Sequence, residues 1–599
     1  MHQGLRLGRP WLALVLIAFC LPLLVGLGQP DLETDEAIYS FAVDRILADG
    51  NWLEPKSSPS NTVVFLEKPP LKFWMVAAPI RAGLLPHDEF GLRLVDVVLA
   101  SAAFVYVFAI GTLLAGPVCG AVAVLLLFVH WPLVFSHGLR TNNMEAALVL
   151  SYCAGVFHFL RWSVRDDERG RRWHAVAASV FFVLGFMTKF VAALFLPFTL
   201  AIAALAAPRV RARLLADWRI WLQCVGLVLL LCAPWFVYAQ VRFGNELWRT
   251  ILGEHVLRRM TAYLDPTHLH PWYWYLQQLW NELLREQSQW LVVAGVATLA
   301  VQAVRRRWFE GMVILLWAVV PMVIISAGSS KLYHYAYPFL PPLALGAGYL
   351  AALVTMLAPV PLRRLFEWVE DRVAATFPGL ASRAGSHGVR LAASALMVVA
   401  AALTIATLAL GNLRITIDGR TLFRSSSMER PLMLVMVLAL LTRTSARTVR
   451  LVVALLVFSA MPLAAYRRQI DLLDDGRHPI RTAAECLARV KASSGLANGL
   501  YIDMPEGVWH PLYYYLRRIE PVTEASSPNA AVIDEYLLDA RSARPVLMSD
   551  SVWRQYQERR AAAGLPPVSP PMVPLLNSLL LTPGPYASCS SEAVLSGAR

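Results

Sequence analysis

The chain has 599 residues, of which 57% are hydrophobic and only 16% are charged, and its mean hydropathy is +0.51. A soluble globular protein is typically about 45–50% apolar and about 25% charged, so this composition excludes an ordinary soluble fold. The net charge of +13 does not indicate nucleic-acid binding, because the arginines cluster in short loops between apolar runs, as the positive-inside rule of membrane proteins predicts.

Apolar runs recur along the chain, many of them near the roughly 17–25 residues that a helix needs to cross a bilayer. They lie near 11–28, 92–115, 118–136, 143–161, 174–189, 190–207, 220–239, 288–304, 311–328, 335–357, 390–411, 430–441 and 449–466. Because backbone polar groups must be satisfied inside the hydrocarbon, the runs predict an all-α polytopic membrane protein with about 12–13 transmembrane helices. Residues 1–30 resemble a signal peptide, but we expect an uncleaved first span.

The charges predict an orientation. Arginine-rich segments lie at 161–172, 209–219, 305–307, 363–390 and 443–450, where a cytoplasmic N-terminus would place cytoplasmic loops. The other side of the membrane then holds 29–91, 137–142, 240–287, 329–334, 412–429 and the tail from about 467. We therefore expect a multi-pass protein whose two long loops, 29–91 and 240–287, face the non-cytoplasmic side.

The tail differs in composition from the rest of the chain. Residues 1–466 form the predicted transmembrane module, and residues 467–599 form a predicted small α/β domain on the non-cytoplasmic side. Strand-like runs at 499–504 and 545–549 alternate there with helix-like runs at 511–518 and 551–563. Cys486 and Cys589 would pair in an oxidising compartment, but two free thiols remain an equal alternative.

Two adjacent acids, Asp35 and Glu36, open the first long loop. Carboxylates at the end of a span are costly unless they face water or a site, so one of them could act as a general base or bind a metal. The alternative is a solvated helix start favoured by the helix dipole. The segment from Asp35 to Ala48 has helical spacing and ends at Asp49-Gly50, which predicts a helix with a glycine C-cap.

Cationic residues follow in the same loop and in the later loops. Lys68, next to Glu67, is placed to bind a lipid phosphate, although a lysine that snorkels to the interface is the common alternative. His255 and Arg259 are four residues apart and would share a helix face. Arg258 and Arg259 lie outside, against the positive-inside trend, which favours an anionic ligand.

Two shorter loops carry further polar candidates. Lys331 could contact phosphate, and the tyrosines beside it could line a cavity or form an interfacial aromatic belt. Glu145 lies near a membrane boundary, where an acid indicates a cavity. Carboxylates and cations therefore fall together on one predicted side of the membrane.

Taken in order, these motifs resemble those of one family. The segments that carry the resemblance are Asp35-Glu36-Ala37-x-Tyr39, Glu67-Lys68-Pro69, Glu145, Thr188-Lys189, Glu254-His255 with Arg258-Arg259, and Ser330-Lys331-Leu332. They resemble GT-C glycosyltransferases of the aminoarabinose transferase and protein mannosyltransferase type (families 39 and 83), over about residues 1–350. The aminoarabinose transferase branch is the most similar.

The resemblance implies a GT-C fold and an undecaprenyl-phosphate-linked sugar donor rather than a nucleotide sugar. It implies a catalytic group of Asp35, Glu36 and Glu145, although the family usually has aspartate at the position of Glu145. It implies donor-phosphate binding by Lys68, Arg258, Arg259 and Lys331. The implied substrate cavity is lined by Tyr39, Glu67, Arg140, Asn143, His255, Tyr333 and His334. A divalent metal ion held by Glu67 and His255 is left open.

The sequence thus predicts an enzyme of the bacterial inner membrane that moves a sugar from a polyprenyl-phosphate carrier to a periplasmic lipid, glycan or protein, as in lipid A modification. Cationic groups that neutralise the leaving phosphate, with a carboxylate base at the acceptor hydroxyl, suit that chemistry. Two alternatives remain, namely a transporter or flippase of lipid-linked sugars, and a non-catalytic assembly factor. A transporter predicts mid-span charges and inverted repeats.

Overall fold

The computed structural model describes residues 19–56, 64–263, 266–357, 387–410, 413–417 and 420–425 and, apart from Arg372, short segments between 431 and 581. The first long loop, residues 29–91, forms α1 (Thr34–Asp49) and α2 (Leu71–Arg81). The helices that follow are α3 (Glu89–Ala115), α4 (Pro117–Val129), α5 (Trp131–Phe135), α6 (Glu145–Val164), α7 (Glu168–Lys189), α8 (Val191–Ala206), α9 (Pro208–Ala216) and α10 (Trp218–Phe243).

The second long loop is helical as well. Its short α11 (Asn245–Trp248) runs into a π-helix (Arg249–Arg258), α12 (Arg259–Thr261) and a 3-10 turn (Pro266–His268). The chain continues with α13 (Trp274–Arg285), α14 (Gln289–Arg305), α15 (Phe309–Ala327), a 3-10 helix (Tyr333–Phe339), α16 (Leu340–Leu357) and α17 (His387–Leu410). Most of the runs predicted between 92 and 411 thus coincide with helices, although the run at 118–136 is divided between α4 and α5.

Five helical segments among the described residues are long and apolar enough to cross a membrane: Glu89–Ala115, Glu145–Val164, Trp218–Phe243, Phe309–Ala327 and Tyr333–Val354. A sixth candidate is the pair α8 and α9, which is bent by 112°. Shorter apolar helices occur at Pro117–Val129, Gln289–Arg305 and Leu391–Thr407. The predicted polytopic all-α membrane fold is confirmed. Most of the predicted runs at 430–441 and 449–466 lies outside the described residues.

The interior of the bundle is built on close helix contacts. A Cβ atom on Gly111 of α3 would lie 2.4 Å from the Cα atom of Gly120 in α4, so these two backbones touch. Helix α6 packs most extensively on α7, and α16 packs on α4 and α14. Small residues permit this close approach, which is how membrane helices associate where the hydrophobic effect is weak.

Helix α1 ends as the sequence predicts. Gly50 has φ +68°, a left-handed conformation that glycine adopts without steric cost, and its N–H donates to the carbonyl of Ile46. The helix is largely buried, so it does not lie flat on the membrane surface with one face in water. Its Phe41 ring packs 5.5 Å from the ring of Tyr514 in the tail.

The described parts of the tail contain strands and helices. Strands β3 (Leu500–Asp503), β4 (Val522–Glu524), β5 (Val546–Ser549), β6 (Met572–Leu575) and β7 (Ser578–Leu581) form one sheet in the order β4-β3-β5-β7-β6, after a hairpin of β1 (Leu413–Ile417) and β2 (Arg420–Ser425). Its helices are α18 (His510–Arg517) and α19 (Asp550–Ala562). These elements match the strand-like and helix-like runs of the sequence, whereas the domain boundary at 466 stays a prediction.

The tail contacts the first long loop directly. The hydroxyl of Tyr515 in α18 accepts a hydrogen bond from the backbone N–H of Leu32 at 3.0 Å. The carboxylate of Asp31 accepts one from the N–H of Ile480 at 2.9 Å. The tail therefore lies on the same side of the membrane as the first long loop. Cys486 in the tail is disulfide-bonded, whereas Cys589 lies outside the described residues.

Candidate functional site

Asp35 lies in the first turn of α1, where the helix dipole stabilises a carboxylate. Its Oδ2 atom is 2.5 Å from Nε2 of His137. Burial by itself raises the pKa of this carboxyl, but the hydrogen bond and the positive charge of His137 reverse that effect and lower the pKa below its ordinary value. Asp35 is therefore held ionised, with one oxygen engaged by an imidazole.

His137 lies in the short loop between α5 and α6. Its φ of +55° is a left-handed conformation, which is uncommon outside glycine and tends to occur at functional sites. Its Nδ1 atom is 3.4 Å from Oε2 of Glu145, so the ring stands between two carboxylates. Burial lowers the pKa of His137, but Glu145 and Asp35 more than compensate and raise it to about 10.

Glu145 begins α6 and is completely buried. The ammonium group of Lys189, at the end of α7, forms an ion pair with its Oε1 atom. His334, from the 3-10 helix, stacks on His137 with ring centroids 4.1 Å apart, and its Nε2 is 3.9 Å from Oε1 of Glu145. We call Asp35, His137, Glu145, Lys189 and His334 the carboxylate cluster.

A second group of charges lies beside it and comprises Glu67, Lys68, His255, Arg259 and Tyr335, which we call the cation cluster. The Lys68 ammonium is 4.0 Å from Oε2 of Glu67, and Nε2 of His255 is 3.4 Å from the same oxygen. Arg259 donates a hydrogen bond to the hydroxyl of Tyr335. Burial lowers the pKa of Lys68, and the charges of Lys189 and Arg259 lower it further, against the opposing effect of Glu67.

The two clusters form one continuous site. The Tyr335 ring lies 5.3 Å from the Lys189 ammonium and 5.9 Å from the Arg259 guanidinium, so it stands between the clusters. Lys68 is close enough to Asp35 for its charge to lower the pKa of that carboxyl. Segments from five separate parts of the sequence therefore place an ionised carboxylate beside cations that have few fixed partners. Such a site can hold an anionic group next to a base.

Glu36 has different surroundings from its neighbour. Its Oε1 accepts hydrogen bonds from Nε of Arg93 at 2.8 Å and from the backbone N–H of Asn142 at 2.7 Å. Its Oε2 accepts from another nitrogen of Arg93 at 2.7 Å and from the N–H of Glu33 at 3.0 Å. The predicted catalytic role for Glu36 therefore has no geometric support, because this fully buried carboxylate is engaged in holding α1 and the second loop in place.

Three other predicted residues are also placed differently from the expectation. Lys331 is almost fully buried, and its ammonium donates to the carbonyls of His270 and Gly328, so it ties two loops together. Arg258 is exposed at the end of the π-helix, whereas the adjacent Arg259 is partly buried in the cation cluster. The Tyr333 hydroxyl pairs with the imidazole of His130 at 3.0 Å.

The remaining predicted cavity residues, Tyr39, Arg140 and Asn143, make structural contacts. The ring of Tyr39 packs on Phe65 and Phe73, with centroids 6.0 Å away in each case. Arg140 donates to the carbonyl of Val25, and the amide of Asn143 donates to the hydroxyl of Thr141. These contacts hold the loops in position.

The predicted metal ligands Glu67 and His255 do form a pair, but Lys68 shares the same carboxylate oxygen. A cation already beside two candidate ligands is a poor fit for a metal ion. Within the described part of the chain, a grouping of three potential ligand atoms occurs at His137, Glu145 and His334, all within 4.8 Å of one another.

Sequence reasoning missed His137 and gave no individual role to Lys189 or Tyr335. Lys189 belongs to the Thr188-Lys189 motif, and Tyr335 lies in the polar loop after Lys331, so both had a signal in the sequence. The only signal for His137 in the sequence was its place in a predicted outer loop.

Comparisons with known proteins agree with this geometry. Residues 67–238 match the family described as dolichyl-phosphate-mannose-protein mannosyltransferase. The chain is 27% identical over 350 residues to the undecaprenyl phosphate-alpha-4-amino-4-deoxy-L-arabinose arabinosyl transferase of Pseudomonas savastanoi pv. phaseolicola, which covers 58% of this chain and 61% of the relative. It is 28% identical over 337 residues to transferase 1 of that name from Sodalis glossinidius, which covers 56% and 58%. The match thus spans about three fifths of these relatives' length.

A solved structure extends the likeness to nearly the whole chain. The crystal structure of ArnT from Cupriavidus metallidurans bound to undecaprenyl phosphate superimposes with a TM-score of 0.62 over 97% of this chain and 99% of that one, at 17% identity. At that level of identity the likeness concerns the fold. The chain therefore has the fold of this ArnT structure, and its sequence is similar to aminoarabinose transferases over the matched region.

Proposed function

We propose that the protein transfers a sugar from a polyprenyl-phosphate donor to an acceptor on the periplasmic face of the bacterial inner membrane. The observation that carries the proposal is the pairing of an ionised Asp35, fixed by His137, with the adjacent cations Lys68 and Arg259. A phosphate-linked donor needs cations at its leaving group, and the acceptor hydroxyl needs a base. The site supplies both.

The donor phosphate would bind between Lys68 and Arg259. Lys68 is largely buried and has Glu67 as a distant partner at 4.0 Å, so its ammonium retains donors for a ligand. Arginine binds phosphate through a planar fork of N–H donors, whereas lysine acts as a point charge. Both charges would neutralise the phosphate as it leaves the sugar.

Asp35 would accept the proton of the acceptor hydroxyl. As the hydroxyl oxygen bonds to the anomeric carbon, the bond between that carbon and the phosphate oxygen breaks, and the phosphate departs with the electron pair. Attack on the face opposite the phosphate inverts the anomeric configuration. Glu145 is engaged by Lys189, so we assign it to fixing His137 and Lys189 rather than to proton transfer.

The names of the relatives support a donor of the undecaprenyl-phosphate class that carries an amino sugar. We favour a lipid or glycan acceptor such as lipid A over a protein. A transporter or a non-catalytic assembly factor would have no need of an ionised aspartate beside phosphate-binding cations. The relatives are named as transferases, which also disfavours both alternatives.

The arginine-rich loops support a periplasmic location for the site. A disulfide-bonded Cys486 supports it as well, because disulfides persist in oxidising compartments such as the bacterial periplasm. The tail that carries Cys486 contacts the first outer loop, which carries Asp35.

The test is a transfer assay with purified protein in liposomes, with an undecaprenyl-phosphate-linked amino sugar as donor and lipid A as first acceptor, read by mass spectrometry of the product lipid. Asp35→Asn should lower kcat roughly 10²–10⁴-fold, which is the usual contribution of a general base. Arg259→Ala should raise the donor KM, and Arg258→Ala is the matched control because this neighbouring arginine is exposed. Full transfer by a normally expressed Asp35→Asn variant would contradict the proposal.

A further inference from the structure

Helix α13 has more apolar surface than the rest of the protein covers. Tyr275 and Leu283, on one side of the helix, are buried. Leu276, Trp280 and Leu284 follow one another at intervals of four residues, so they form a second apolar stripe on a neighbouring face. This stripe is not packed against protein, because Leu276 and Leu284 are 53% and 52% exposed. We call these three residues the exposed stripe.

The remaining face of α13 is polar. It exposes Gln277, Asn281 and Arg285, which lie beside the exposed stripe and away from the side that packs on the bundle. A helix with leucine and tryptophan on one face and polar residues on another is suited to lie in the plane of a membrane surface. With the 12 residues from Trp274 to Arg285, α13 is too short to cross the bilayer, so a position in the plane suits its length as well.

The neighbours of α13 place it at the ends of membrane spans. It packs on α14 and on α15, and α15 is long and apolar enough to cross a membrane. The backbone N–H of Ser288 donates to the carbonyl of Leu283 at 2.9 Å, which fixes the corner between α13 and α14. The ring of Trp280 packs edge-on against that of Trp290 in α14, with centroids 5.6 Å apart, and Trp290 is exposed as well. The exposed stripe therefore continues onto the apolar surface of a membrane helix, at the level where tryptophan is enriched.

From this arrangement, we propose that α13 binds the lipid bilayer through the exposed stripe and lies in the interface between headgroups and acyl chains. A second protein is the other kind of partner that could cover such a stripe. A stable protein interface buries about 800 Å² on each partner, whereas the exposed stripe runs for only about 12 Å along the helix. Its continuity with the surface of α14, which lipid already surrounds, favours lipid as the occupant.

The position of α13 in the bilayer also affects the site, in a step that rests on the proposed function. His270, just before α13, stacks on Trp274 with ring centroids 4.3 Å apart. Its carbonyl accepts a hydrogen bond from the ammonium of Lys331 at 2.9 Å. The backbone N–H of the adjacent Ser330 donates to the carbonyl of Arg259 at 3.0 Å. These contacts join α13 to the backbone of Arg259, so a helix seated in the interface holds this cation at the level of lipid phosphates.

The depth of α13 can be measured without a substrate. Full-length protein is reconstituted in liposomes of phosphatidylethanolamine and phosphatidylglycerol, and nitroxide spin labels are attached to Leu276→Cys, Leu284→Cys and Asn281→Cys. The signal of the unsubstituted protein after the same labelling is subtracted. Oxygen concentrates in lipid, whereas a nickel chelate stays in water. We expect the two labels on the exposed stripe to collide more with oxygen than with nickel, and the label at Asn281→Cys, the matched control on the polar face, to show the reverse.

Two results of this measurement would overturn the proposal. If the labels on the exposed stripe collided mainly with nickel, the stripe would face water. If they collided with neither reagent while the control label remained accessible, a protein surface would cover the stripe, either a second copy of this chain or another partner.

The link to the site is tested separately in the transfer assay. A variant with both Leu276→Ser and Leu284→Ser should raise the donor KM several-fold and leave kcat unchanged, because it displaces Arg259 without altering Asp35. A variant with both Gln277→Ser and Asn281→Ser is the control and should keep both constants. An unchanged donor KM in the first variant would refute the link to Arg259. Absence of transfer by wild-type protein whose labels show the expected depth would refute the proposed function and leave the membrane position of α13 in place.

Discussion

The adjacent acids Asp35 and Glu36 should give opposite phenotypes when each is changed to its amide. Glu36→Gln keeps the shape of the side chain but removes the charge that faces Arg93. That guanidinium is 3% exposed and makes its bonds to Glu36 and to the backbone carbonyls of Leu27, Pro30 and Asp31. Its positive charge would then lose the carboxylate that is hydrogen-bonded to it.

The expected loss of stability in Glu36→Gln follows from the burial of Arg93. Removal of one partner of a buried ion pair costs about 3–5 kcal/mol, because the remaining charge is left uncompensated in a medium of low dielectric. Typical proteins have a free energy of unfolding of about 5–15 kcal/mol, so the Glu36→Gln variant should lose a large part of its free energy of unfolding. Asp35→Asn should cost less than that, because the side chain of Asp35 is 41% exposed and the amide oxygen of asparagine can still accept the hydrogen bond from His137.

The assay is thermal unfolding in detergent, followed by intrinsic fluorescence, together with the transfer assay on the folded fraction. Glu36→Gln should unfold at a clearly lower temperature yet keep transfer when corrected for folded protein. Asp35→Asn should unfold near the wild-type temperature and lose transfer. A Glu36→Gln variant with wild-type stability and no transfer would refute this division of roles and restore Glu36 as a catalytic candidate.

Two further predictions concern the scaffold. In unfolding measurements, Gly111→Ala should destabilise the protein by about 1–3 kcal/mol, because the new methyl group would collide with the backbone of Gly120. The control is Gly226→Ala. It should be neutral or slightly stabilising, because Gly226 lies in a helix and faces open space. Equal effects of the two changes would contradict the packing argument. The hydroxyl of Tyr238 donates a hydrogen bond to Glu54 and lowers the pKa of that carboxyl. Ionised Glu54 therefore stabilises the folded protein at any pH above the ordinary pKa of glutamate. This stabilisation is lost as the pH falls through the lowered pKa of Glu54 in the folded protein. Glu54→Gln should therefore unfold at a lower temperature than the wild type at pH 7 and converge with it in acid, and a difference that is independent of pH would refute the assignment.

The helices could be predicted from the sequence because a bilayer imposes a length and an apolar composition on every span. The run at 118–136 is the instructive exception. It reads as one span, but the chain breaks at His130 into α4 and α5 because the backbone there is extended, with ψ of 91°. The imidazole of His130 bonds to Tyr333 and Glu286, a tertiary contact that no hydropathy pattern contains.

The kinds of chemical groups in the site could be predicted from the sequence, but which of these groups contact one another could not. Adjacent residues such as Arg258 and Arg259 are equivalent in a sequence motif, and only the helix geometry turns one of them toward Tyr335 and leaves the other exposed. Lys331 carries the same charge as Lys68, yet backbone carbonyls occupy its ammonium. A charge count cannot distinguish a cation that is free for a ligand from one that holds two loops together.

The position of Asp35 depends on buried charges that take no part in the proposed chemistry. The backbone N–H of Asn142 donates to Glu36, and its side-chain amide donates to Ser40, so the second loop is fastened to α1 at two points. The side-chain oxygen of Asn142 accepts from the fully buried Lys72, which pairs with Asp96 of α3 at 2.7 Å. One residue thus joins α1, α2 and α3 to the loop that carries His137. A shift of about 1 Å at a reacting group can lower the rate roughly a hundredfold. These unreactive charges therefore matter because they fix the positions of His137 and Asp35 relative to each other.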